Sequence, residues 1–590
     1  MNSATIRTMI AATSFAVLTA CGGGSASNGV GVNNGTVTSA EIVTSSTTGS
    51  SRVLSGGSQL LASLTTSGDS MVTTPEMASR FLAQASFGPN MGLINSVVAS
   101  GPSAWLEAQL NFIPAPTYRS YIETLAAAGS PAAQAQFNEF FWKRVMEGND
   151  QLRQRVVFAL SQIFVVSFED ATLAEHTRGM ADYYDMLGKN AFGNYRQLLE
   201  SVALHPMMGV YLSSIHNQKE SGNRLPDENF AREIMQLMSI GLYKLNQDGS
   251  QVIVNGKAVE TYTHDDVMGM AKVFTGWSFS NTDKLASRFI GTIKDPDWEI
   301  KPMVMYPAFH STSEKTFLGK TIQGTTTGEA DLKVALDTLF NHPNVGPFIG
   351  RELIQRLVTS NPSPAYISRV AAAFADNGSG VRGDMKAVIR AVLMDSEARD
   401  LSAGAEKVRE PLIRLANWMR AFNATSASAR YLIPSLYDPI YGLAQSPLRS
   451  PSVFNFYRPG YVPPESQLAD AGMVAPEMQI VAEPSLIGYL NFMQNAVSSG
   501  VGTNLDVKPN YQNELVLIDN PGKLVDRINL LLLNGNMSST LRSQIIAAVS
   551  SIERPVATSS NAALVTRLAN YRVYMAVFLA MASPEYIVQK

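Results

Sequence analysis

Apolar residues recur at three- and four-residue spacing along most of this chain, the pattern of helices that bury one face. Thr74-Pro75 offers a cap followed by proline at the first helical position, and the helix MASRFLAQASF should run from there to Gly88-Pro89. Further helical patterns cover Phe137 to Met146, Gln151 to Val166, TRGMADYYDMLGKNAF and NYRQLLESVALHP. Later ones are GEADLKVALDTLFN, VGPFIGRELIQRLVTS, AYISRVAAAFAD and DMKAVIRAVLMD, then VREPLIRLANWMRAF, LVDRINLLLLN, STLRSQIIAAVSSI and LVTRLANYRVYMAVFLAMAS. Gly, Asn-Gly or Pro punctuates their ends.

Strand signals are few. QVIVNGKAVETYT sets two β-branched runs around Asn255-Gly256, which suits a type I′ hairpin. SPLRSPSVFNFYRPGYVPPE, from Ser446 to Glu465, carries proline too densely for a helix and reads as an extended loop. Its Phe454, Phe456, Tyr457 and Tyr461 either clamp that loop onto the helical body or form an aromatic binding surface. The fold expected is mainly α, a multi-helix globular body over 74–590 with one or two small β-hairpins and a candidate sub-domain boundary near 400–406.

The N-terminus reads differently. Arg7 precedes an apolar run from Met9 to Ala20, too short to span a bilayer and of signal-peptide length. Leu18-Thr19-Ala20-Cys21 has the form of a bacterial lipobox, which predicts a signal peptide over 1–20 and acylation (palmitate) of Cys21, the one cysteine in the chain. Gly22 rather than Asp follows it, which favours an outer-membrane anchor, on a face the sequence leaves open. Residues 21–73 are rich in Gly, Ser, Thr and Asn and bury little apolar surface, so a disordered tether is expected, with a reach of roughly 40 Å.

Composition narrows the partners. Charged residues are 16% of the 590-residue chain, below the roughly 25% of an ordinary globular protein. Such a surface suits an uncharged polar environment or a polysaccharide. The formal net charge is −3 and there is no basic stripe with interleaved aromatics, so nucleic acid is not an expected partner.

Candidate chemistry gathers between Arg224 and Trp277. Asp227 can cap a helix in which Glu228 and Arg232 share one face and Asn229 and Glu233 another. Read plainly, this is a capped helix with a modest ion pair. A sharper reading is a buried Asn-Arg-Glu cluster for a polar ligand or for acid–base work. Thr263 opens a second helix with Asp266 at the capping-box position. His264, Asp265 and Asp266 are consecutive and point apart on a helix, so they do not chelate one ion. His310 and Lys315, on a loop-like stretch before Gly319, are candidates for proton transfer or anion contact, or are simply held in a turn. The remaining histidines lack zinc-site spacing, and no nucleophile elbow, P-loop or GxGxxG is present, so no metal and no cofactor is expected.

DENFAREIMQLMSIG, YTHDDV with AKVFTGW, FHSTSEKTFLGK and SPSVFNFYRPGY follow one another in this order, and together they resemble the domain of unknown function 1800 family. The resemblance runs from about Pro75 to the C-terminus and takes in ASRFLAQASFG and the KVREPL helix. It implies a mostly helical, exported bacterial protein, often encoded beside a sulfatase-like partner of undefined activity, and it implies no catalytic residues. Many relatives carry histidines in the segment matching Phe158 to Phe164 and at the position of Met238, so a metal site built from them is not expected here. The motif residues that persist include Glu228, Asn229, Arg232, Glu233, Asp266, Trp277, His310 and Lys315.

Two functions fit this reading. One is a lipid-anchored envelope protein that binds, or helps assemble or export, a surface polymer or a partner protein. The other is an envelope hydrolase or transferase acting on polysaccharide. In it Glu228 or Glu233 works with His310, and Asn229, Arg232, Asp266, Trp277 and Lys315 bind. The second requires Glu233, Arg232 and His310 to converge in one concave pocket.

Overall fold

The computed structural model describes residues 72–113, 116–400 and 406–590, which belong to one compact unit. The expected signal peptide, Cys21 and nearly all of the 21–73 tether lie outside the described residues, as does most of the 400–406 segment.

The fold is mainly α. Strands among the described residues form five separate antiparallel two-stranded pairs, none of which joins another. Helix Pro75–Ala85 begins where the cap signal placed it, with Thr74 Oγ1 accepting the Met77 N–H at 3.3 Å. At the centre lies Pro411–Ala421, in which every residue is buried. It packs against Gln134–Glu147 and Pro521–Leu532. Several of its polar side chains are satisfied inside the protein, while Arg414 Nη2 and Asn417 Oδ1 have no hydrogen-bond partner among the described residues. Trp418 donates to the Tyr511 hydroxyl at 3.0 Å, and Arg420 donates to the carbonyls of Gly88 and Val145 at 2.7 and 2.6 Å. Just before this helix, Lys407–Val408 pairs with Val588–Gln589 and ties the C-terminus to the core.

Three expected elements differ. The pattern over Gln151 to Val166 forms a helix only to Ser161, because Gln162 N–H closes back onto the Ala159 carbonyl and Ser161 Oγ onto that of Phe158. The pattern over NYRQLLESVALHP breaks at His205, whose ring nitrogen caps the next helix, Pro206–Tyr211. The loop-like stretch around Lys315 is a hairpin, Lys315–Phe317 with Lys320–Ile322, turning on Leu318 and Gly319 at positive φ. The Asn255-Gly256 hairpin forms as expected between Ile253–Val254 and Lys257–Ala258, with φ of 53° and 74° at the two turn residues. Phe456 and Tyr457 of the proline-rich loop are buried, so that loop is clamped to the body by packing.

Two close approaches fix the motif region. Helix His264–Val273 lies so near strand Lys315–Phe317 that a Cβ on Gly269 would sit 1.8 Å from the Thr316 carbonyl oxygen. Gly276 adopts φ +79°, and a Cβ there would come within 2.8 Å of the His310 nitrogen. Only glycine meets both demands at position 276.

Candidate functional site

Helix Asn229–Gln236 is opened by Asp227, whose carboxylate accepts the Asn229 N–H at 2.8 Å. Asn217 steadies the approach. Its side chain takes the Asp227 N–H at 2.8 Å and donates to the Asp227 carbonyl at 3.0 Å, while its own carbonyl accepts the Gly276 N–H at 2.8 Å. One turn into the helix, Arg232 pairs with Glu228 at 3.0 Å, and His264 Nδ1 lies 3.6 Å from the same carboxylate. Arg232 and His264 are well exposed there, so the cluster is a solvated surface group. Asn229 is also exposed, at 3.4 Å from the Ser213 hydroxyl. Glu233 turns the other way. It is buried, its Oε2 has no hydrogen-bond partner among the described residues, and burial raises its carboxyl pKa against the opposing charge of Arg232.

His310 and Lys315 belong to a different group. Nδ1 of His310 lies 2.8 Å from the Thr275 carbonyl, an acceptor only, so it carries a proton. Nε2 lies 3.0 Å from Asp331 Oδ2, and Lys315 Nζ lies 2.9 Å from that same oxygen. Thr326 Oγ1 donates to the other carboxylate oxygen. Burial pushes the Asp331 carboxyl up, but the bonds from His310, Thr326 and Lys315 outweigh it and hold the carboxyl below its ordinary value. Exposure is 4% at His310, 1% at Lys315 and none at Asp331, which leaves no face for a substrate. Asp266 caps its helix by accepting the Thr263 N–H at 2.7 Å and pins the hairpin by accepting the Leu318 N–H at 2.7 Å.

Among the described residues, no hydrogen bond or ion pair joins Glu228, Arg232 or Glu233 to His310 or Lys315. The expected Asn-Arg-Glu-His cluster is thus divided between a surface ion pair and a sealed ionic group. Trp277, of this set, lines a cavity.

Family motifs far apart in sequence meet instead in the interior. Glu410, from KVREPL, accepts from Gln162 and Gln445 at 2.6 Å each. Gln162 lies in the Phe158 to Phe164 segment, and its carbonyl accepts from Arg356 at 3.1 Å. Lys407 binds Glu477 at 2.8 Å and the Arg356 carbonyl at 3.0 Å, and Arg155 reaches that carbonyl at 2.6 Å. All of these side chains are buried. Arg155 Nε and Nη1, Glu410 Oε1 and Glu477 Oε2 have no protein partner among the described residues. Burial raises the Glu477 carboxyl, with Lys407 opposing.

The open space lies elsewhere. A cavity of about 840 Å³ sits between helices Tyr118–Ala127, Gln151–Ser161, Thr177–Asn190 and Tyr195–Ala203. Asp182 accepts there from Arg119 at 3.0 Å and from His205 Nε2 at 3.3 Å. His205 Nδ1 accepts the Met207 N–H at 3.2 Å, so Nε2 bears the proton and the imidazole is neutral. Asp185 reaches across to the start of helix Tyr118–Ala127 and accepts the N–H groups of Tyr118 and Arg119 at 2.9 and 2.8 Å. Burial pushes Asp185 up to about 6 against those two bonds. A second cavity of about 640 Å³ is lined by Arg196, Trp277, Lys284, Met303 and Glu329 among others. Glu200 and Leu204 line both cavities, so the two lie side by side along helix Tyr195–Ala203, and together they are called the trough below. Sequence reading gave no sign of it. Its residues come from elements spread from 113 to 333, and the one local cue is the i,i+3 spacing of Asp182 and Asp185.

No group of three or more His, Cys, Asp or Glu among the described residues is placed to hold a metal ion. No curated protein and no solved structure matches the chain. Residues 80–588 match the family model described as "Protein of unknown function (DUF1800)", and the chain belongs to that family.

Proposed function

We propose that this protein is a lipid-anchored envelope component, held in the outer membrane through Cys21, that binds a surface polysaccharide and helps assemble or export it. The observation that carries the reading is the trough. Two cavities of about 840 and 640 Å³ lie side by side and together exceed what one small ligand fills. Arginines, carboxylates, amides and one indole line it, the groups that suit a chain of hydroxyl-bearing rings. The anchor and tether rest on the lipobox and on the composition of 21–73. A sulfatase-like partner fits the same picture as the protein that would act on the bound polymer.

A hydrolase or transferase built on Glu228 or Glu233 with His310 is the weaker reading. Both ring nitrogens of His310 are engaged by Thr275 and Asp331, and the nearby surface pair is occupied with itself. The test is steric. Gln197 and Ser201 line the trough beside Glu200. With the full-length protein on beads and envelope extract as ligand, wild type should retain a glycan. Gln197→Trp and Ser201→Trp should retain none at unchanged melting temperature. Equal retention by the filled variants, or none by wild type, contradicts the proposal.

A further inference from the structure

The trough departs in charge from the chain that forms it. Over the whole sequence acidic residues outnumber Lys and Arg, 49 to 46. Along the two cavities the balance reverses, with seven Lys or Arg against four Asp or Glu. Four of the seven have a carboxylate in contact. Arg119 has Asp182, Arg144 has Asp150, and Arg196 and Lys333 share Asp337.

Arg153, Lys189 and Lys284 have no carboxylate within ion-pair distance among the described residues. Arg153 spends its two terminal nitrogens on the carbonyls of Gly188 and Phe112, at 2.8 and 3.1 Å, and lies over the Phe192 ring at 4.5 Å. Its Nε is buried without a partner among the described residues. Lys189 is exposed at the mouth of the same cavity. Lys284 lies over the Tyr306 ring at 4.9 Å in the second cavity, where burial lowers its pKa and Glu329 opposes. Arg153 and Lys284 are partly desolvated with no carboxylate in contact, which is unfavourable, and an anionic ligand relieves that cost. Two of these charges stand in one cavity and one in the other, so a single small anion meets only part of the set. A chain bearing anionic groups at intervals meets all of it.

We infer that the polymer is acidic, a polysaccharide whose carboxylate or sulfate groups are taken by Arg153 and Lys189 in one cavity and by Lys284 in the other. The inference rests on the trough as the binding site and adds the charge class of the ligand. Carboxylate and sulfate share the recognition chemistry, and the probes separate them.

The test measures retardation of the full-length protein in gels containing alginate (carboxylate), dextran sulfate (sulfate) or dextran (neutral), at low and high salt. Alginate or dextran sulfate should retard it at least about ten-fold more strongly than dextran, and high salt should weaken the effect. The exposed variants Lys189→Glu and Lys284→Glu combined should abolish the preference at unchanged melting temperature. Arg153→Met should reduce it, and because this residue is partly buried its melting temperature is read alongside. Equal retardation by dextran overturns the acidic assignment and leaves the trough as the binding site. Acidic retardation unchanged by the lysine variants and by Gln197→Trp places binding elsewhere and overturns both. No retardation by any of the three polymers overturns the acidic assignment.

Discussion

Asp331 and the cations of the trough solve the same electrostatic problem in opposite ways. Around Asp331, Lys315 and His310 meet one carboxylate at 2.9 and 3.0 Å with almost no water contact, so each charge is answered inside the protein. In the trough, Arg153, Lys189 and Lys284 line open space with no carboxylate in contact among the described residues. The difference separates residues that hold the fold from residues free to meet a ligand. Charge within a sequence motif does not make that distinction. Whether the charge is already neutralised does.

Removing the shared anion should give the largest effect. Asp331→Ala leaves Lys315 buried without a counter-ion and should cost about 3–5 kcal/mol, read as a lower urea midpoint at unchanged m-value. A loss under about 1 kcal/mol would mean that the sealed group contributes nothing special. Next comes the trough. Lys189→Glu with Lys284→Glu should leave stability within about 0.5 kcal/mol, while the retention of acidic polymer falls.

Acid should distinguish the regions further. Burial, helped by Lys294, lowers His216 to about 4 from 6.5, so the folded state binds this proton less readily than the unfolded chain. Its contribution to stability is full above pH 6.5 and is lost as pH falls towards 4. Asp331 has a depressed carboxyl, so its contribution is present above the ordinary value of 3.8 and is lost only below it. His216→Phe, at a site packed against Phe279 and Phe289, should therefore flatten the stability profile between pH 6.5 and 4 and leave the steeper fall below pH 4 in place. An unchanged slope in that window breaks the assignment. The smallest effect belongs to Arg232→Ala. Its pair with Glu228 is an exposed i,i+4 contact, and its loss should cost less than about 1 kcal/mol by thermal melt.

Local signals in the sequence were reliable where the cause is local. Thr74-Pro75, the Asn255-Gly256 turn and the Thr263/Asp266 capping box each form as their residue types require. Helices Met91–Ser100, Pro102–Leu110, Tyr118–Ala127 and Glu483–Ser499 were not anticipated. Met91–Ser100 and Tyr118–Ala127 bury only two residues each, so their apolar periodicity is faint. The candidate site was legible only in part. His310 and Lys315 stood out, but the partner that determines their role, Asp331, lies on another element 21 residues beyond His310. No local cue marks Arg155 and Glu410, which tertiary packing buries together. Nothing local marks Arg153, Lys189 and Lys284 as members of one trough.

If the motif charges support structure while the trough binds, removing the motif charges leaves polymer binding intact. Glu228→Gln combined with Arg232→Ala removes the whole exposed motif pair and touches no trough residue. Polymer retention by this double variant, measured beside Gln197→Trp, tests the claim most directly. The account predicts wild-type retention for the double variant and none for Gln197→Trp. Lost retention in the double variant at unchanged stability, with Gln197→Trp still binding, would contradict it.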